Sequence, residues 1–265
     1  MSRVIAVIAT ERTGTNYFCD LMIKSLSING MYEIFHPDMP YGLNDVLIAK
    51  ALNKSLKEIS ALDNKLKAKL VKSNPKHIID VLVRHEQKTS LFKIFPGHLN
   101  SSVVKSSILE NPDVIKVIID RSPLDVYISQ HKAGSISKWG HVDTTDIKIN
   151  LDRCQFDAWF KNRKEWYDVC SNTVENSNQK YVYINYSDIE SRTPEELVNF
   201  FIQLMAECDC KLIKSDAIVS NLMKKQDNSQ SPAHKVKNWP QFERSFPGGV
   251  IDSHYFSGFL NENDY

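Results

Sequence analysis

Residues 3 to 17 constrain the fold more than any other stretch. An apolar run from Arg3 to Ala9, rich in Val and Ile, ends directly on Thr10-Glu11-Arg12-Thr13-Gly14-Thr15-Asn16-Tyr17, and a helical pattern runs from Thr15 to Leu26. A buried strand, a tight glycine-bearing loop and a helix, in that order, call for a parallel sheet with helices crossing over it. Three further branched runs read as strands of the same sheet: Ser90 to Phe95, Val114 to Ile119 and Tyr181 to Asn185. Helical patterns intervene at Pro123 to Ser135 and Asp152 to Val174. The prediction is an α/β fold of three layers, with a mostly parallel central sheet and a P-loop-like strand-loop-helix at its start.

Charge narrows the partners. The 265 residues carry 33 Lys plus Arg against 32 Asp plus Glu, a net +1, which excludes a strongly basic nucleic-acid wrapper and an acidic disordered tail. No apolar run is long enough for a membrane span or a secretory leader. The five cysteines lack paired C-x-x-C spacing, so neither a disulfide framework nor a structural zinc site is expected; reduced thiols in a cytoplasm are.

Residues 1–265 are read as one domain with a helical insert at about 43–82. In that insert Leu56, Ile59, Leu62, Leu66 and Leu70 form an apolar stripe, and Lys57, Lys65, Lys67, Lys69 and Lys72 a solvated face, with an anionic-substrate or membrane-surface role as the alternative. Thr193-Pro194-Glu195-Glu196 combines an N-cap, a proline at the first helical position and a glutamate three residues after the cap, so a helix runs from there towards Glu207. Asp227 to His234 is the most polar loop.

The loop after the first strand has the chemistry of an anion site. A strand-to-helix turn aims backbone N–H groups and the positive end of a helix at one point, Arg12 adds full charge, and Thr13 and Thr15 add hydroxyl donors. The alternative is an N-capped turn with an exposed arginine. A Mg-ATP loop needs G-x-x-x-x-G-K-[ST], and here the first glycine and the lysine are both missing. After the third strand comes Ile119-Asp120-Arg121-Ser122-Pro123-Leu124-Asp125-Val126-Tyr127-Ile128-Ser129. With Pro123 in a first helical turn, Arg121 lies at the carboxyl end of its strand, facing the same crevice as Arg12, and Asp125 can contact its own helix; taken alone, Arg121 reads more readily as a surface salt bridge.

Arg12-Thr13-Gly14-Thr15 followed by Arg121-x-Pro-x-Asp-x-x-x-Ser129 resembles the sulfotransferase superfamily that uses 3'-phosphoadenosine 5'-phosphosulfate (PAPS), with the R-T-G-T loop of the bacterial nodulation-factor type of carbohydrate sulfotransferase. The resemblance implies that the first loop, Arg12 to Tyr17, holds the phosphosulfate, and that Arg121 and Ser129 hold the 3'-phosphate. It is similar in three other places. Gly30 to Phe35 resembles the segment of the catalytic glutamate, Glu33 here; Tyr183 to Asp188 resembles a strand-end tyrosine segment, with Tyr186 on the nucleotide. Lys235-Val236-Lys237-Asn238-Trp239 resembles a nucleotide-closing segment, at about 227–250, in which Lys235, Asn238 and Trp239 contact the donor. Cytosolic sulfotransferases carry a lysine where this chain has Arg12 and end on an R-K-G triplet that is missing here, which unsettles the C-terminal contacts.

Sulfuryl transfer needs in-line placement of an acceptor hydroxyl, cations on the oxygens that gain charge, and a base. Arg12 is the candidate for the leaving phosphate and Glu33 for the base. His98 is the rival base, His36 the third, and Lys93 a cation for the sulfonate or a snorkelling strand lysine. No metal is required by this reading; Glu33-x-x-His36-x-Asp38 is the one set that could be drawn as a metal triad. The acceptor implied is a carbohydrate or another hydroxyl compound. The rival functions are an ATP-dependent small-molecule kinase and a nucleotide-binding module without catalysis.

Overall fold

A computed structural model describes residues 3–85, 87–137, 142–215 and 231–260. The sheet has five strands in the order β2-β3-β1-β4-β5, all parallel: β1 (Val4–Ile8), β2 (Ile28–Tyr32), β3 (Thr89–Ile94), β4 (Val114–Asp120) and β5 (Tyr181–Asn185). β1 and β4 are buried along their whole length, which is why both read as unbroken apolar runs. β5, at an edge, alternates buried and half-exposed positions.

Helices cover both faces. The sequence order is α1 (Thr15–Ser25), α2 (Asp45–Leu52), α3 (Leu56–Ser60), α4 (Asn64–Ser73), α5 (Pro75–His85) and α6 (Ser101–Val104), which runs on into a π turn at Lys105–Leu109. Then follow α7 (Pro123–Ser135), α8 (Arg153–Asn176), α9 (Tyr186–Ser191), α10 (Pro194–Glu207), α11 (Pro232–Lys235), α12 (Trp239–Arg244) and α13 (His254–Ser257). Val4, Ala6 and Ile8 of β1 pack under α2, α5 and α8; Ile5, Val7 and Ala9 pack under α1 and α10. This is the three-layer α/β arrangement that the sequence predicts.

The chain leaves β1 through α1 over one face and leaves β4 through α7 and α8, with α8 on the other. Neighbouring strands whose connections part to opposite faces open a crevice at their carboxyl ends. The Arg12 loop and the Arg121 turn line it.

The structure corrects two readings. β2 is a fifth strand, at the sheet edge; Asn29 and Gly30 hide it, because both are poor strand formers. The insert is helical but broken: Asp63 caps α4 by accepting from Leu66 N, so the apolar stripe is divided between α3 and α4. Ile59 is buried, whereas Leu56 and Leu66 are each 49% exposed. Lys67 pairs with Asp45 at 2.7 Å. All five cysteines are free thiols. Thr193 caps α10 with the full capping box. No helix among the described residues is long and apolar enough to cross a membrane.

Candidate active site

The loop is braced from inside. Thr13 Oγ1 donates to Thr10 O at 2.8 Å, Thr10 N donates to the Tyr167 hydroxyl at 3.2 Å, and that hydroxyl donates to Ile119 O at 2.8 Å. One buried phenol from α8 thus ties the ends of β1 and β4 together. Burial holds its proton well above the ordinary tyrosine range. Arg12 has φ 72° and Gly14 has φ 82°, so the loop crosses the left-handed region twice before α1 begins. Gly14 occupies the N-cap of α1 and supplies no side chain there, which leaves first-turn N–H groups to a ligand.

The two arginines meet. Arg121 donates from its guanidinium to Arg12 O at 2.9 Å, and Arg12 Nε donates to Ser129 Oγ at 3.1 Å. Tyr186, the first residue of α9, lies against Gly14, and the Arg121 guanidinium sits 4.0 Å from the centre of its ring. Burial, and then the neighbouring charge of Arg121, pull the proton affinity of Arg12 down. Two cations held this close, beside the buried Nε of Arg121 and Oγ1 of Thr10, neither of which has a partner among the described residues, make a site that an anion would relieve.

A second cluster adjoins the first turn of α1. Just past β2, Glu33 Oε1 lies 2.9 Å from the Nζ of buried Lys93, and Lys93 also donates to Asn16 Oδ1. Glu33 Oε2 lies 3.7 Å from His98 Nε2. His98 Nδ1 accepts from Phe95 N at 3.4 Å, so the ring proton belongs on Nε2. Burial pushes the His98 imidazole down to about 4, against a partial lift from Glu33. A neutral ring that turns N–H rather than a lone pair towards Glu33 is placed as a donor, and of the two groups Glu33 is the one left to accept a proton. His36 sits behind, its ring 5.9 Å from that of His98, with Nδ1 accepting from Asp38 N. Lys72 of α4 reaches Gly97 O at 3.4 Å beside His98, so one lysine of the insert comes to this side of the site.

The C-terminal candidates make contacts within the fold. Lys235 Nζ lies 3.1 Å from Asp125, one turn before Ser129 on α7, and so Asp125 turns to a distant lysine rather than to its own helix. The Asn238 amide both donates to Leu151 O and accepts from Leu151 N, at 2.8 and 2.9 Å, and Trp239 packs in the aromatic core around Phe156 and Phe242. Tyr17 is half-buried against the core under α1. Asp227 to Asn228 and Ser229 to Gln230 of the polar loop lie outside the described residues, as does all of 216–230. Among the described residues no three His, Cys, Asp or Glu side chains are grouped to hold a metal ion, Glu33, His36 and Asp38 included.

Three residues of the site carry no local signal: Tyr167, Asp120 and Arg163. Asp120 Oδ2 accepts from the Tyr183 hydroxyl and from Leu260 N, both at 3.0 Å, and Oδ1 from Arg121 N at 2.7 Å. Arg163 donates to Glu11 across 152 positions of sequence.

No family model and no curated protein matches the chain. Among solved structures, the chain is similar to a sulfotransferase domain from the curacin biosynthetic pathway, at 8% identity over 89% of this chain and 83% of that one, with a TM-score of 0.40. It is likewise similar to a sulfotransferase domain from the Synechococcus PCC 7002 olefin synthase, at 11% identity over 94% and 86%, also with a TM-score of 0.40. Likeness of that degree says nothing of chemistry, which rests here on the site's own geometry.

Proposed function

We propose that this protein moves a sulfuryl group from PAPS to a hydroxyl of a carbohydrate or glycolipid acceptor. The observation that carries the reading is the contact of two motifs 109 positions apart, in which Arg121 holds the backbone of Arg12 while Arg12 holds Ser129. A doubly phosphorylated nucleotide needs cationic groups from more than one turn at one crevice, and the contact between these two turns supports that reading. Thr10 Oγ1, the Arg121 Nε and the uncapped start of α1 fit such a ligand.

The acceptor hydroxyl gives its proton to a Glu33 carboxylate oxygen as its own oxygen bonds to sulfur. The bond from sulfur to the bridging phosphate oxygen breaks, and the charge gained there falls to Arg12. Lys93, touching both Glu33 and Asn16, sits between base and donor loop, where it keeps the carboxylate oriented. His98 offers Nε2–H beside the same carboxylate.

Labelled donor is incubated with sugar, glycolipid and phenolic acceptors, and products are detected by mass. Glu33→Gln is expected to lower turnover by about 100-fold or more while binding of 3',5'-adenosine bisphosphate persists. Near-normal turnover in that variant would transfer the base role to His98. A strict magnesium requirement with ATP as donor would replace the reading with the kinase one.

A further inference from the structure

The anion loop contains its own obstacle. Glu11 precedes Arg12 directly, and a carboxylate there opposes the charge that Arg12 and Arg121 assemble. Arg163 of α8 answers it: its guanidinium lies 3.2 Å from Glu11 Oε2, with the arginine side chain 16% exposed. Four residues on, on the same helix, Tyr167 holds Thr10. Two α8 side chains one turn apart therefore hold two consecutive loop residues, Tyr167 the backbone and Arg163 the charge.

A second observation points the same way. The buried polar atoms without a partner among the described residues include Thr10 Oγ1, Arg121 Nε and Arg163 Nε, all at this loop. A surface ion pair kept for stability alone has no reason to leave a buried Nε unsatisfied beside an anion site.

We infer that Arg163 is a positioning residue of the donor site, which neutralises Glu11 and turns it away so that the loop presents net positive charge to an anionic nucleotide. The inference rests on the donor reading above. With Arg163 present, Glu11 is spent on α8; without it, the carboxylate cancels one of the two cations at the crevice and repels the ligand.

The test is calorimetric binding of 3',5'-adenosine bisphosphate to the full chain, with thermal unfolding of each ligand-free variant. Arg163→Met, which keeps the aliphatic stem, is expected to weaken binding about tenfold or more. Adding Glu11→Gln to it is expected to restore affinity to within about threefold of wild type, because the repelling charge is gone. Glu11→Gln alone leaves an uncompensated cation and is expected to bind as tightly as wild type or tighter; this arm decides the matter if Arg163→Met fails to fold. Unchanged binding by Arg163→Met, a double variant as weak as Arg163→Met, or weaker binding by Glu11→Gln alone would each overturn the inference while the donor reading stands. If wild type itself does not bind the bisphosphate, the donor reading falls and takes this inference with it.

Discussion

Gly14 meets two demands at once. Its φ of 82° belongs to the left-handed region, and a Cβ added there would lie 2.6 Å from Cε2 of Tyr186, the ring on which Arg121 rests. Gly14→Ala must therefore strain the loop and displace the ring. The expected cost is about 1–2 kcal/mol of stability by urea unfolding, with weaker bisphosphate binding by calorimetry. Unchanged affinity would mean that the seat of Tyr186 does not matter to the ligand. Arg12, Gly14, Arg121 and Ser129 stand out in the sequence, the first two because a glycine-bearing strand-to-helix loop has a mechanism of its own, the last two because their spacing resembles a known motif. Arg163 and Tyr167 do not: one is a charge and the other an aromatic on a long helix, and only the fold sets them against Glu11 and Thr10. The protonation of His98 was equally hidden, since burial and the Phe95 N–H determine it.

Elements were legible where local chemistry and packing agree. α10 begins where Thr193, Pro194 and Glu196 require, and α7 runs over the residues that Pro123 announces. β2 escaped because an edge strand with a register shift between Gly30 and Tyr32 needs little apolar patterning; pairing resumes at Tyr32, the last residue before Glu33. The C-terminal segment is held less by pattern than by one amide. Asn238 satisfies both backbone groups of Leu151, and an isolated bridge between Ile149 and Val236 runs alongside. Asn238→Ala orphans the N–H and C=O of a buried residue, and the expected loss is about 1–3 kcal/mol per unsatisfied group, read by urea denaturation. An unaltered midpoint would show that water replaces the amide at no cost and that this segment is anchored elsewhere.

Across the whole molecule, two buried groups at the ends of the strands that flank β1 give stability opposite dependences on pH. His98, past β3, is held down to about 4 from an ordinary 6.5, so between those values the unfolded chain binds more protons and stability falls as the solution is acidified. Asp120, ending β4, is raised by burial to about 6 from 3.8 despite the hydrogen bonds it accepts; between those values the folded chain binds more protons. Its contribution is therefore complete below about 3.8 and is lost as pH rises through 6. In wild type the two slopes partly cancel from about pH 4 to 6, and single variants separate them. The stability gap between wild type and His98→Asn is expected to shrink as pH falls from 6.5 to 4, whereas the gap to Asp120→Asn is expected to widen as pH falls from 6 to 3.8. Titrating groups that do not touch the altered residue are common to each pair and drop out of the difference. Urea unfolding of the three proteins across this range reads both gaps. Gaps that move in the same direction would contradict the burial of one of the two groups, and with it the placement of the strand ends that form the crevice.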